Sequence, residues 1–307
     1  MHADLGVRVF FVISGFLITS LLLKERVQSG SISLRLFYIR RALRILPAFF
    51  LFIGCAALLS FLGVIRVPPV SWAYVLTYTV NFAPYPPFPW VLVHLWSLSV
   101  EEQFYLLWPL VMKSAGKRTW TAVAIVAIVA NPVSHVAHSL SGADLPGYGP
   151  FPLVCGPLAM GCLLAMYART IRNRIVSSKI LSDGWVLLLT VLILLLFDAN
   201  PGFGLGVITN LLLTFCIARV VFIPEGLVGR VLNSAPFVTV GKLSYSLYLW
   251  QEFFFKPAGI APIALPPPFN LAASIAAASV SYWGLEVRFL GLRKKFRNQA
   301  QPVLAKT

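Results

Sequence analysis

Long runs of apolar residues, separated by short polar segments, dominate the hydrophobic pattern of this chain. A run of about 20 apolar residues is long enough to cross a bilayer as an α-helix. The pattern therefore predicts an all-α polytopic transmembrane bundle with about nine spans. The predicted spans are residues 5–23, 44–64, 96–112, 119–139, 151–168, 183–198, 203–223, 238–256 and 268–285. A shorter apolar piece at 71–83 is predicted to be a re-entrant or partial helix, which needs protein around it.

Composition and charge support a membrane protein. Hydrophobic residues make up 58% of the chain and charged residues 11%, whereas soluble domains carry about 25% charged residues. The net charge of +15 comes largely from short loops between apolar runs, which is the positive-inside pattern. We therefore expect membrane lipid as a partner and no nucleic acid. The alternation of basic loops predicts an amino terminus outside, as written, and a cytoplasmic carboxyl terminus.

The domain organisation predicted from this pattern is simple. Residues 1–287 form one integral membrane domain, and residues 288–307 form a basic cytoplasmic tail. No short apolar stretch ahead of a small-residue cleavage site indicates a removable signal peptide, so 5–23 is expected to be a span in its own right.

No metal site is predicted. Cys55, Cys155, Cys162 and Cys216 lie in apolar runs without metal-binding or redox spacing and are interpreted as small hydrophobic residues. His135 and His138 lie three residues apart, on one face of a helix, but no third ligand stands nearby.

The segment His94–Trp108 carries the strongest chemical signal, because it places Glu101 and Glu102 in an apolar run. Ionisable groups in a membrane span are candidates for a functional site. A structural alternative is a capping box, in which Ser99 caps a helix and Glu102 reaches back. A helix that runs from Ser99 to Lys113 is about 22 Å long, which is shorter than the roughly 30 Å thickness of the hydrocarbon core. Its start therefore lies below the membrane surface, so capping and a functional role can coexist.

The same segment supplies candidate cavity residues. Tyr105 and Trp108 follow Glu101 at helical spacing on one face, whereas Glu102 points about 100° away. Ser97 is a further candidate cavity residue, and we expect a backbone break there that turns His94 toward these acids, which makes His94 a candidate base.

Two further polar groups lie in apolar surroundings. Arg40, Arg41 and Arg44 enter a span from the cytoplasmic side, where arginine binds phosphate well; topology alone is the alternative explanation. Ser244, Tyr248 and Gln251 share one helical face and either line an acceptor path or form ordinary interhelical hydrogen bonds. Glu286 and Arg288 are interpreted as an interfacial ion pair.

Several motifs together resemble the membrane acyltransferase 3 family. They are Gly6–Thr19, Arg40–Pro47, His94–Trp108 with its signature Trp-Ser-Leu-Ser-Val-Glu-Glu-Gln-Phe-Tyr, and Leu243–Gln251. The resemblance covers nearly the whole chain. It implies transfer of an acyl group, often acetyl, from acyl-CoA to hydroxyls of cell-surface glycans, lipid-linked sugars or secreted small molecules. It also implies a bacterial inner membrane.

The chain departs from the family pattern in three places. The family begins with one more span, which carries an arginine and the histidine that acts as the base; as written, neither precedes Gly6, and that span would make a tenth crossing. Arg8 stands where an acid is more common, and Gln251 stands where many members have histidine.

The resemblance and the residues together predict a mechanism. Acyl-CoA is a co-substrate rather than a bound cofactor, and its phosphates dock near Arg40, Arg41 and Arg44. His94 is the candidate base, and Glu101 or Glu102 orients it or accepts a proton. The alternative is a catalytically inactive relative, or a glycan or lipid carrier without chemistry.

Overall fold

A computed structural model describes residues 3–84, 88–141, 154–177, 183–199, 203–255 and 263–298. Every regular element within these ranges is helical, so the all-α class predicted from the hydrophobic pattern is confirmed. The helices are α1 Ala3–Ser29, α2 Leu34–Phe61, α3 Pro69–Leu76, α4 Trp90–Val93, α5 Leu95–Ser114, α6 Lys117–Ser141, α7 Gly156–Met166, α8 Ala168–Ser177, α9 Asp183–Ala199, α10 Phe203–Phe222, α11 Leu227–Leu232, α12 Ala235–Trp250, α13 Phe269–Ser281 and α14 Val287–Asn298. Two 3-10 helices, Val80–Phe82 and Gln251–Phe253, and one π-helix, Tyr282–Glu286, complete the set.

The chain divides into two compact units. The first contains Met1–Val27 and Val100–Ser234, and the second contains Gln28–Ser99 and Ala235–Thr307. The division falls within α5, so the two ends of that helix belong to different units.

In the first unit, α1 and α7 approach each other at the level of the backbone. A Cβ atom on Gly15 would lie 1.9 Å from the carbonyl oxygen of Leu158, and one on Gly161 would lie 2.1 Å from that of Val12. Only glycine allows such an approach, which is a common way for helices to pack in membranes. Helix α7 also packs against α6 and α10.

In the second unit, α2 packs against α12, α14 and the π-helix. Helix α2 begins ten residues before the predicted span 44–64, because the Ser33 hydroxyl accepts a hydrogen bond from the Leu36 amide at 3.4 Å and caps it. Pro47 therefore lies inside the helix. Two side chains of this helix, Phe49 and Phe52, are fully buried.

Two helices in the described part of the chain are long and apolar enough to cross a membrane, Leu5–Ser29 and Leu34–Phe61. Shorter apolar helices are Gly156–Met166, Gly184–Ile193 and Gly206–Phe222. The count of nine spans stays a prediction. The piece predicted at 71–83 contains most of the short helix α3 and a 3-10 helix. The predicted basic tail is helical over Val287–Asn298, and this helix packs against α2.

Candidate active site

A buried carboxylate lies between α1 and α5 in the first unit. Glu101 is 3% exposed, and its Oε1 atom accepts hydrogen bonds from the hydroxyls of Ser14 and Tyr105. These two hydroxyl oxygens are themselves 3.4 Å apart. The predicted neighbour at i+4, Tyr105, therefore contacts Glu101, but Ser14 was not among the predicted site residues. Its only sequence signal is a hydroxyl within an otherwise apolar run.

Helices α1 and α5 run in the same direction, because their side-chain contacts advance together along both helices. In chain order, the contacts are Ser14 with Glu101, Thr19 with Trp108 at 2.9 Å, and Arg26 with the carbonyl oxygen of Met112 at 2.8 Å. The last contact places a cation at the carboxyl end of α5, where it interacts favourably with the helix dipole. Trp108, a predicted cavity residue, is thus buried against α1.

Close packing fixes the position of Ser14. Its neighbour Gly15 contacts the backbone of α7, so α1 cannot rotate or slide without a clash. Glu102, the second predicted acid, is half-buried. Glu101 is therefore a carboxylate held by two hydroxyl donors within the close-packed first unit.

The predicted capping box at Ser99 is wrong. Helix α5 begins at Leu95, and the Ser99 hydroxyl donates to the carbonyl oxygen of Leu95 at 2.9 Å. The Ser99 hydroxyl oxygen in turn accepts a hydrogen bond from the Val80 amide at 3.3 Å. With 20 residues, the helix is about 30 Å long, so the argument for a helix start below the membrane surface does not hold. The backbone break predicted at Ser97 is also wrong, because Ser97 lies inside α5 and the chain leaves α4 at His94.

His94 lies between α4 and α5 in the second unit and is 8% exposed. Its backbone carbonyl oxygen accepts a hydrogen bond from the Tyr248 hydroxyl. The Tyr248 hydroxyl also lies 2.8 Å from that of Ser97. Two predicted cavity residues, Ser97 and Tyr248, thus hold the backbone that carries His94.

The imidazole ring of His94 packs against aromatic rings. Its centroid lies 5.5 Å from that of Phe52 and 5.1 Å from that of Tyr248. Both ring nitrogens are buried, and neither has a hydrogen-bond partner within the described ranges. A buried polar group without a partner is destabilising by about 1–3 kcal/mol. The structure therefore places His94 as a buried imidazole in aromatic surroundings.

The other residues of the predicted polar stripe do not join this cluster. Ser244 is exposed, and its hydroxyl donates to the carbonyl oxygen of Gly241 in its own helix at 2.9 Å. Gln251 is half-buried at the start of a 3-10 helix. The adjacent Glu252 accepts a hydrogen bond from the Trp90 indole at 2.6 Å, which ties that 3-10 helix to α4.

The predicted donor residues Arg40, Arg41 and Arg44 are half-buried and lie in the first half of α2. That helix packs against α14, which carries further basic residues, Arg288 and Arg293 among them.

The predicted ion pair between Glu286 and Arg288 is wrong. Glu286 is 2% exposed, and its Oε1 atom accepts hydrogen bonds from the hydroxyls of Ser246 and of Ser281, the latter at 3.1 Å. Arg288 is exposed. The carboxylate lies inside the second unit because the π-helix turns it inward.

The remaining candidates are the cysteines and the histidine pair. The four cysteines are free thiols, and Cys155 and Cys162 are buried. His135 and His138 lie on α6, and their side chains fall outside the described residues. In the described part of the chain, no three metal-binding side chains lie close together.

A family model described as an acyltransferase domain matches residues 2–286. The chain is 32% identical over 277 residues to the O-acetyltransferase OatA of Staphylococcus aureus (strain NCTC 8325 / PS 47). This match covers 80% of the chain and 45% of that protein. It is 34% identical over 279 residues to "Putative O-acetyltransferase SACOL0978" of Staphylococcus aureus (strain COL), with the same coverage. The chain thus spans less than half the length of these relatives. No solved structure matches it significantly.

Proposed function

The chain belongs to the membrane acyltransferase 3 family. We propose that it transfers an acyl group from acyl-CoA to a hydroxyl group, with acetyl as the favoured acyl group. The acceptor is a cell-surface glycan, a lipid-linked sugar or a secreted small molecule. The names of the relatives support acetyl as the acyl group and oxygen as the accepting atom.

The observation that carries this proposal is the buried imidazole of His94, whose nitrogens have no hydrogen-bond partner among the residues that the structure describes. A neutral imidazole has one acceptor nitrogen, which can take the proton of an acceptor hydroxyl as its oxygen attacks the acyl carbonyl. A new C–O bond forms and the C–S bond of the thioester breaks. The proton then passes to the leaving thiolate, so free CoA thiol and an ester are produced.

Glu101 supports this chemistry as an orienting or proton-accepting group. Its two hydroxyl donors, Ser14 and Tyr105, hold the carboxylate oxygen in one position, and pre-organised polar groups stabilise developing charge best. Glu102 is proposed as the second acid of this pair. Trp108, two turns further along α5, is proposed to line the same cavity; its indole donates to Thr19 and it is buried against α1.

The donor binds at the basic face of α2. Arg40, Arg41 and Arg44 receive the phosphates of acyl-CoA, because guanidinium groups bind phosphate with paired hydrogen bonds. The contact between α2 and the basic helix α14 supports this assignment.

The proposed topology has nine crossings of a bacterial inner membrane, with the amino terminus outside, as written, and the carboxyl terminus in the cytoplasm. The parallel course of α1 and α5 agrees with this topology, since the predicted spans 5–23 and 96–112 both cross inward. On this topology the donor binds from the cytoplasm and the acceptor from outside.

The test uses the purified full chain in lipid nanodiscs with acetyl-CoA and a panel of polyol and monohydroxyl acceptors. We expect release of free thiol that depends on the acceptor, and an acetylated acceptor in the mass spectrum. Movement of a labelled glycan across liposomes without thiol release would instead identify a carrier.

A further inference from the structure

Trp250 has a buried indole N–H group without a hydrogen-bond partner in the described part of the chain. Three other indole groups do have partners. They are Trp90, which donates to Glu252 at 2.6 Å, Trp108, which donates to Thr19 at 2.9 Å, and Trp120, which donates to the carbonyl oxygen of Val111 at 3.1 Å. A buried indole usually finds a partner, so the exception at Trp250 calls for a functional explanation.

The position of Trp250 relates it to His94 within the second unit. Both rings pack edge-on against Phe52, with centroid distances of 5.8 Å for the indole and 5.5 Å for the imidazole. The interplanar angles are 83° and 88°. The ring of Phe253 also belongs to this aromatic group, with its centroid 5.5 Å from that of Trp250 and 5.1 Å from that of Phe52. One apolar ring is thus flanked by two polar groups that have no partner in the described protein.

We propose that Trp250 is a specificity-determining residue, whose indole N–H donates to a second oxygen of the acceptor while His94 takes the proton of the reacting hydroxyl. This inference rests on the proposed function. The acceptor then carries a further oxygen near the reacting hydroxyl. Acceptors with one hydroxyl and no second oxygen bind more weakly.

The physical basis of this selectivity is the unpaired donor. An acceptor that lacks the second oxygen leaves the indole N–H buried and unsatisfied, and sites that provide a hydrogen bond reject analogues without the matching group. The loss of one neutral hydrogen bond weakens binding about 3- to 10-fold.

The experiment compares wild-type protein with Trp250→Phe, which keeps an aromatic ring and removes the N–H group. The matched control is Trp283→Phe, at a tryptophan that is 56% exposed. Calorimetry without acyl donor measures the binding of trans-1,2-cyclohexanediol and of cyclohexanol to the full chain in nanodiscs. Thiol release from acetyl-CoA is measured with the same two acceptors.

We expect wild-type protein to bind the diol more tightly than the monohydroxyl compound. Trp250→Phe weakens diol binding about 3- to 10-fold and leaves cyclohexanol unchanged, and Trp283→Phe changes neither. In the transfer assay, the Trp250 variant raises KM for the diol with little change in kcat, because binding of substrate and transition state is lost equally.

Equal binding of both compounds by the wild-type protein overturns the inference without any variant. An equal loss for both compounds in Trp250→Phe overturns it too, because that result indicates lost packing rather than a lost hydrogen bond. Diol binding that depends on Trp250, in protein that releases no thiol, supports the binding site and refutes the proposed transferase activity.

Discussion

Replacing Tyr105 by phenylalanine removes one of the two hydroxyl groups that donate to Oε1 of Glu101. The side chain is 5% exposed, so no solvent replaces the lost donor. Hydrogen bonds to charged groups contribute about 1.5–3 kcal/mol, whereas polar contacts in a membrane bundle average about 0.6 kcal/mol. We therefore expect a loss of about 1–2 kcal/mol in the free energy of unfolding.

The catalytic effect of this change follows from the same contact. If Glu101 acts in a fixed orientation, a loss of about 1.4 kcal/mol in the transition state lowers kcat about tenfold. Thiol release from acetyl-CoA measures kcat, and thermal unfolding in nanodiscs measures stability. Tyr167→Phe is the matched control, because its hydroxyl contacts Thr121 at 3.1 Å and its side chain is 37% exposed.

A double-mutant cycle with Ser14→Ala separates a shared site from two independent contacts. Both hydroxyls bind one carboxylate oxygen, so the effects of the two substitutions on kcat should deviate from additivity by at least about 0.5 kcal/mol. Additive effects, or wild-type kcat in Tyr105→Phe, would refute the assignment of Glu101 to the reaction.

Three further substitutions test other parts of the molecule. His94→Gln should lower acceptor-dependent thiol release by about 100-fold or more, as for loss of a general base; release near the wild-type rate would move the base role elsewhere. Gly161→Ala should lower the melting temperature in nanodiscs, because the added Cβ meets the backbone of α1 at 2.1 Å. Gly241→Ala, which has open space around the added atom, should leave the melting temperature unchanged or raise it. Arg44→Ala should raise KM for acetyl-CoA several-fold more than KM for acetyl-pantetheine, which lacks the nucleotide phosphates; the exposed Arg66→Ala is its control, and an equal rise for both donors contradicts phosphate binding.

Hydrophobicity alone was sufficient to predict where most of the helices lie, because burial in apolar surroundings requires paired backbone groups. It was less informative about where a helix begins. The Arg-rich segment before residue 44 is polar, yet it is helical from Leu34 because Ser33 caps it. Ser99 fits a capping pattern, yet it lies inside α5 and bonds to Leu95. Apolar periodicity indicates which residues face lipid or core, and helix ends depend on individual hydrogen bonds.

The candidate site was predictable where its contacts are local. Tyr105 lies one helical turn after Glu101, and this spacing placed them side by side. Ser14 and Glu101 are 87 positions apart in the chain, and no local pattern reports such a contact. His94 and Trp250 have ring nitrogens without a partner among the described residues, and this too is a property of three-dimensional packing. The sequence therefore predicted Glu101, Glu102 and His94 as candidates, and only the structure describes their surroundings.

The π-helix Tyr282–Glu286 sets the rotational phase between α13 and α14. A π-turn pairs residues five apart, and Ser281 accordingly meets Glu286 at a separation of five positions. In an α-helix, successive residues are rotated by about 100°, so deletion of one residue here would turn every later side chain by that angle. Glu286 would then swing away from Ser246, and α14 would present a different set of side chains to α2. One additional residue in a single turn thus keeps a carboxylate inside the unit and determines which side of α14 packs against α2.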